Sequence, residues 1–288
     1  MKNDLRRYTN DLLKVNGLLA KKKYGQNFLV DEAILDGIVE AAGVTHEDCV
    51  LEIGPGTGNL TERLCLNAGR VLAVEIDPDM AKVLSRRLSD INNLTVTVGD
   101  ILQIDPKTIA EHSDGMPIKV VANLPYYITT PIIMYLLESE LWSDIDSITV
   151  MVQKEVADRL ISRSGSKDYG AITVAVQYRC EAGIDIMVPP ESFIPPPGVD
   201  SAVVTLKKRQ QPLVALDPQK EEKFFRLVKA AFAMRRKTLV NALSHAGYAG
   251  GDKAVIEKAL EDMGLDVKIR GEMLDIKQFA ALSESLPI

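Results

Sequence analysis

The run CVLEIGPGTGNLTERLCLNA, Cys49 to Ala68, constrains the fold more than any other part of the chain. A short apolar segment closes directly on a turn with glycine at 54, 56 and 58, and a helical pattern follows at once. A strand that ends on glycines and leaves as a helix is the opening of a βαβ unit. It places its turn at the carboxyl edge of a parallel sheet. The chain downstream repeats the alternation. RVLAVEID (Arg70 to Asp77) reads as a second strand, with a helix opened by Pro78 behind it. LTVTVGD (Leu94 to Asp100) reads as a third strand and IKVVANL (Ile118 to Leu124) as a fourth. TPIIMYLLES then reads as a helix with Thr130 as its cap and Pro131 at its first position. SITVMVQKEVADRLI is strand then helix, and AITVAVQYRCEAGIDIMV and SAVVTLKK look β-rich. The pattern predicts a mostly parallel sheet covered on both faces.

Near residue 210 the alternation stops, and beyond QQPLVALDP only helical stretches follow, such as EKFFRLVKAAFAM and KAVIEKALEDMG. The expected organisation is a basic extension over residues 1–23, an α/β domain over 24–210 and a small all-helical domain over 211–288. At 288 residues, 46% hydrophobic and 26% charged, the composition is that of a soluble globular protein. No apolar run reaches the roughly 20 residues that span a bilayer, and the charged N-terminus lacks a signal-peptide core, so a cytoplasmic protein without a membrane partner is expected. Cys49, Cys65 and Cys180 lack ligand spacing and read as reduced thiols; no metal site is expected. His46, His112 and His245 are isolated and are given no catalytic role.

The net charge of −6 hides an uneven distribution. Residues 1–23 hold seven Lys/Arg against two Asp, and residues 207–240 hold ten against three acids. By itself such a run is a solvated face, so other residues must decide whether it meets nucleic acid.

The glycine spacing in EIGPGTGN is G-x-G-x-G, because Asn59 stands where a dinucleotide fingerprint has its third glycine. No lysine follows, as a phosphate-cradling P-loop requires. Glu75 closes the second strand, where a carboxylate can accept from two ribose hydroxyls, and Asp100 closes the third, within reach of an adenine amino group. These residues suit an adenosine with free ribose hydroxyls and no phosphate. S-adenosylmethionine fits, and the region resembles the nucleotide half of a class I methyltransferase.

The segment NLPYYITTP, Asn123 to Pro131, places a carboxamide and an aromatic ring side by side at the end of the fourth strand. The N6 lone pair of adenine is delocalised into the ring, so the amine needs acceptors that favour its pyramidal form more than it needs a strong base. Asn123 offers a side-chain carbonyl and Leu124 a backbone carbonyl. Pro125 stiffens the turn, and Tyr126 gives a flat face on which a base can stack.

NLPY resembles the acceptor motif of amino-methyltransferases. Together with KKYGQNFL (Lys22 to Leu29), EIGPGTGNLT, VEID, GDIL, NLPYYI and FIPPPGVDS in that order, it is similar to the ribosomal RNA adenine dimethyltransferase family, and most of all to its bacterial small-subunit branch. The resemblance runs from about Lys21 to the C-terminal helices and implies a class I S-adenosylmethionine-dependent, Rossmann-like methyltransferase sheet with a C-terminal helical domain. It implies that Gln26, Asn27, Leu29, Gly54, Gly56, Glu75, Ile76, Asp100, Ile101 and Asn123 bind the cofactor. It implies that Asn123, Leu124, Pro125 and Tyr126 serve the acceptor, with Phe193 stacking on the other face of a flipped adenine. The substrate it implies is a pair of adjacent adenines in a hairpin loop near the 3′ end of 16S rRNA, in the immature 30S subunit, with Arg235, Arg236 and Lys237 on the RNA backbone. A monomer is the expected state. The alternatives are a 23S rRNA adenine methyltransferase of the antibiotic-resistance type, a non-enzymatic assembly factor, and an NAD-dependent dehydrogenase, against which Asn59 and NLPY argue.

Overall fold

The computed structural model describes residues 4–18 and 25–287. Within the basic extension, Lys2 and Lys21 to Lys23 lie outside the described residues.

In chain order the first elements are α1 (Asp4–Val15), β1 (Phe28–Leu29), α2 (Glu32–Ala42), β2 (Cys49–Ile53), α3 (Asn59–Asn67), β3 (Arg70–Glu75), α4 (Pro78–Arg87) and β4 (Leu94–Val98). They are followed by α5 (Pro106–Ser113), β5 (Ile118–Asn123), α6 (Thr129–Glu138), β6 (Ile145–Gln153), α7 (Lys154–Ile161), α8 (Ala171–Arg179), β7 (Cys180–Val188), β8 (Phe193–Ile194) and β9 (Ser201–Lys208). The chain ends with α9 (Pro218–Ala233), α10 (Leu239–His245), α11 (Lys253–Asp262) and α12 (Ile276–Ser285).

The chain forms two compact units, one of residues 1–157 with 181–208 and one of residues 158–180 with 209–288. The expected division at residue 210 misses that residues 158–180 belong with the C-terminal helices. The cause is apolar: Tyr169, Val174 and Tyr178 are buried in the same core as Phe224, Leu227, Leu243 and Phe279.

The first unit is built on a seven-stranded sheet in the order β4-β3-β2-β5-β6-β9-β7. Strands β4 to β6 of that order run parallel, and β9 pairs antiparallel with β6. All five residues of β2 are buried, as a strand covered on both faces requires. From β2 the chain steps outward to β3 and β4, then returns to the other side of β2 as β5. The order therefore reverses between β2 and β5, and a crevice opens at their carboxyl ends. A separate antiparallel pair joins Phe28 to Ile194 and Leu29 to Phe193.

Two local expectations differ. Helix α6 begins at Thr129, and Thr130 is not its cap: Ile128 holds that position without a side-chain bond, and the Thr129 hydroxyl donates to the Pro125 carbonyl at 3.1 Å. The turn Pro125–Ile128 is closed by its own backbone bond, so the helix starts two residues early. Residues 171–179, expected to be β-rich, form α8. Ile172 to Val176 and Tyr178 are all buried, and a helix enclosed on every side shows no period that would distinguish it from a strand. Asp77 does cap α4, accepting from the Asp79 amide at 3.2 Å with Pro78 behind it.

Candidate active site

A cleft lies at the carboxyl ends of β2 and β5. Its walls include Gly25 to Leu29, Glu52, Gly54 to Thr57, Asn59, Glu75, Ile76, Asn123, Pro125 and Tyr126. Sequence segments nearly a hundred residues apart meet there because β2 and β5 are neighbours: Glu52 pairs with Val121, so Asn123 emerges where Gly54 leaves the sheet.

The glycine loop is bent by left-handed backbone at Gly54 (φ 70°) and Gly56 (φ 55°), a conformation side chains rarely adopt. A Cβ on Gly56 would also press on the Phe28 ring at 3.2 Å. Glu75, buried at the end of β3, secures the loop, accepting from the Gly56 amide at 3.0 Å with one oxygen and from the Asp77 amide at 2.9 Å with the other. A carboxylate offers about four acceptor sites, so the group retains capacity for a ligand. Burial raises the Glu75 carboxyl above its ordinary range, and the bonds from the Asp77 and Gly56 amides pull it back. Ile76 is 37% exposed at the cleft, an apolar face left open where a planar ring can rest.

Asn123 is oriented by one bond. Its side-chain nitrogen donates to the Asn27 carbonyl at 3.0 Å. Only the amide nitrogen can donate to a carbonyl, so the side-chain oxygen is the atom left to accept from a ligand. The Leu124 amide donates to the Met151 carbonyl at 3.2 Å, fixing the next peptide. Tyr126 is anchored at its far end by a 2.6 Å bond between its hydroxyl and that of Ser201, the buried serine that begins β9. Burial raises its phenol above the ordinary range, keeping it neutral.

Some expected residues stand elsewhere. Gln26, Asn27, Leu29, Gly54, Gly56, Glu75, Ile76, Asn123, Pro125 and Tyr126 share the cleft, but Asp100 and Ile101 do not line it. The Asp100 carboxylate accepts from the Leu102 amide at 3.0 Å, capping a short turn, and Ile101 is buried. Phe193, expected to stack on a base, is fully buried with Leu29, Leu35, Val188 and Val203. A ring enclosed in this way has no free face unless its surroundings open. In the second unit Arg235, Arg236 and Lys237 lie exposed between α9 and α10, yet Arg235 already donates to the carbonyls of Lys167 at 2.6 Å and Tyr169 at 3.0 Å. Arg236 and Lys237 are therefore the more available pair.

Two residues escaped the sequence reading. Ser201 is one. Glu52 is the other: it is wholly buried, lines the cleft, and has one carboxyl oxygen without a hydrogen-bond partner among the described residues. Burial pushes its carboxyl up to about 8. A lone acid in the otherwise apolar strand CVLEI was the available signal.

A reversed-order α/β sheet with a G-x-G-x-G loop and an Asn-Leu-Pro-Tyr corner in one cleft is the class I, Rossmann-like methyltransferase fold. The chain belongs to the ribosomal RNA adenine dimethylase family, whose model matches residues 17–282. It is 48% identical to a ribosomal RNA small subunit methyltransferase A from Lachnoclostridium phytofermentans, over 96% of this chain and 94% of the relative. Among solved structures it resembles a dimethyladenosine transferase from Plasmodium falciparum, with 28% identity, TM-score 0.73, and coverage of 88% of this chain and 95% of the other. It also resembles the 23S rRNA methyltransferase ErmE, with 30% identity, TM-score 0.66, and coverage of 90% and 99%.

Proposed function

We propose that this protein transfers methyl groups from S-adenosylmethionine to N6 of two adjacent adenines near the 3′ end of 16S rRNA, giving N6,N6-dimethyladenosine in the immature 30S subunit, and that it acts as a monomer. The observation that carries the reading is the Asn123–Asn27 bond, which leaves the side-chain oxygen as the acceptor of a residue that lines the same cleft as the glycine loop and the anchored Tyr126.

The residues present suit the cofactor. The cleft wall holds the two carboxyl groups of Glu52 and Glu75 and, among the described residues, no Lys, Arg or His, a donor set suited to a cationic nucleoside and unsuited to a phosphate. When bound, S-adenosylmethionine supplies a methyl group on a sulfonium. Glu75 would accept from the ribose hydroxyls, Ile76 would cover the adenine, and the unpartnered oxygen of Glu52 would accept from the ammonium of the amino-acid portion. Asn123 and the Leu124 carbonyl would accept from the two N6 hydrogens, favouring the pyramidal amine that attacks. Tyr126, held by Ser201, would stack on the extruded base and align N6, which replaces an entropic barrier with fixed geometry. No general base is required before attack, because the N6 proton becomes acidic only after transfer. Arg236 and Lys237 would meet RNA phosphates.

Identity of 48% to a small-subunit relative, against 30% to the 23S enzyme, supports the choice of substrate. The test is mass spectrometry of rRNA nucleosides after incubation of immature 30S particles, and of 23S rRNA, with labelled cofactor. Dimethyladenosine in 16S rRNA alone is expected; label in 23S rRNA alone would transfer the assignment to the other branch.

A further inference from the structure

Helix α1 precedes every motif used above, yet it touches the cleft residues Asn59 and Phe28 and, separately, the backbone at Glu191 and Phe193. The Thr9 hydroxyl, wholly buried, accepts from the side-chain nitrogen of Asn59 at 3.1 Å. That nitrogen also donates to the Leu29 carbonyl at 2.9 Å, while the Asn59 oxygen accepts from Arg87 at 2.9 Å. Both amide hydrogens and the carbonyl are thereby used, in a residue only 4% exposed. Arg87 also donates to the Thr57 carbonyl and lies 5.1 Å from the Tyr8 ring centre, returning the network to α1. Further along, Leu13 is buried with Phe28, Met80 and Val83, and Phe28 is the ring that lies against Gly56. At the other end of the helix, Arg6 donates to the Phe193 carbonyl at 3.4 Å and to the Glu191 carbonyl.

One side chain of α1 thus fixes the residue that begins α3, directly after the glycine loop, and another fixes the backbone leading into FIPPPGVDS. Between these segments run the short pair Phe28–Leu29 with Phe193–Ile194, the bond from the Val30 amide to the Ser192 carbonyl at 2.9 Å, and the buried packing of Phe193 with Leu29 and Leu60. Asn59, the residue that breaks the dinucleotide fingerprint, has its role here as the junction between helix and loop. We propose that α1 is a positioning element for methyl transfer, with Thr9 and Arg6 as its positioning residues: Thr9 holds the donor side through Asn59, and Arg6 holds the acceptor-side loop. The inference rests on the reading of the cleft given above.

Thr9→Val keeps the shape of the side chain but leaves an amide hydrogen of Asn59 without its partner, while Thr9→Ser restores the hydroxyl. Arg6→Met keeps the aliphatic stem and removes the donors. At a temperature where melting curves show every variant folded, Thr9→Val is expected to lower kcat about tenfold with the KM for rRNA within about twofold, since small misplacements of reacting groups are costly. Thr9→Ser should recover most of the loss. Hydrogen exchange, which needs neither cofactor nor RNA, should quicken at residues 54–59 in Thr9→Val and at 191–194 in Arg6→Met. Unchanged kcat and unchanged exchange in both folded variants would overturn the inference. Absence of methyl transfer to rRNA adenine by the unaltered protein would instead overturn the proposed function, and the exchange result would still decide whether α1 holds the two segments.

Discussion

Asn123 shows how much a single hydrogen bond settles. Without the Asn27 carbonyl its carboxamide could present either end to a ligand; with it, the oxygen is the end that remains. Tyr126 is fixed in the same way by Ser201, which separates the ring's role from the hydroxyl's. Tyr126→Phe keeps the stacking face and should lose only a few-fold in kcat, whereas Tyr126→Ala should lose about 5- to 150-fold, as removal of roughly 1–3 kcal/mol of stacking implies. Steady-state kinetics on the two variants reads the difference. Glu52 carries a pH signature. With its carboxyl raised to about 8 by burial, it is protonated at neutral pH before a cation binds. A cation held against it would draw that proton off, so cofactor affinity should strengthen as pH rises toward about 8 and level off above it. Calorimetry in buffers of different ionisation enthalpy should show proton release in the native protein and none in Glu52→Gln. The same shift makes the unliganded fold lose stability as pH climbs from the ordinary carboxylate range through about 8, because the unfolded chain gives up this proton first; Glu52→Gln should flatten that slope.

At the scale of elements, local chemistry decides where helices start. Asp275 accepts from the Gln278 amide at 2.8 Å, and the Gln278 side chain accepts from the Asp275 amide at 2.9 Å, a reciprocal cap for α12. Asp275→Ala should cost about 1 kcal/mol by chemical denaturation, in the range such caps contribute, with methyl transfer unaltered in the folded protein. Pro78 announces α4 in the chain, and simple aspartate caps form at both α4 (Asp77) and α9 (Asp217). The strand ends at Ile53, Glu75 and Asn123 are equally legible, since apolar runs stop there on glycine or polar residues. What the chain conceals is whatever depends on distant partners. The helical state of Ala171–Arg179 follows from burial on all sides, and the enclosure of Phe193 follows from contacts with α2, β7 and β9. For Asp100 the chain shows a carboxylate just after a strand, which serves a turn as readily as a ligand; here one of its oxygens accepts from the Leu102 amide.

At the scale of the whole molecule, an acidic chain with a net charge of −6 can engage RNA only through local concentrations of Lys and Arg. Replacing Arg236 and Lys237 together by Ala should weaken rRNA binding across sequences and shallow its dependence on salt concentration by about one to two counterions, measured by titration at several ionic strengths. Methyl transfer at saturating RNA should persist, because neither residue lines the cleft. The chemistry belongs instead to the corner where β5 leaves the sheet, an uncharged set of carbonyl oxygens beside an anchored ring. The most direct measurement of that claim is the single-turnover rate of Asn123→Ala with rRNA and cofactor both saturating. A fall of about 100-fold or more with rRNA affinity unchanged is the predicted result, in line with removal of one acceptor matched to the transition state. A rate equal to that of the unaltered protein would contradict the account.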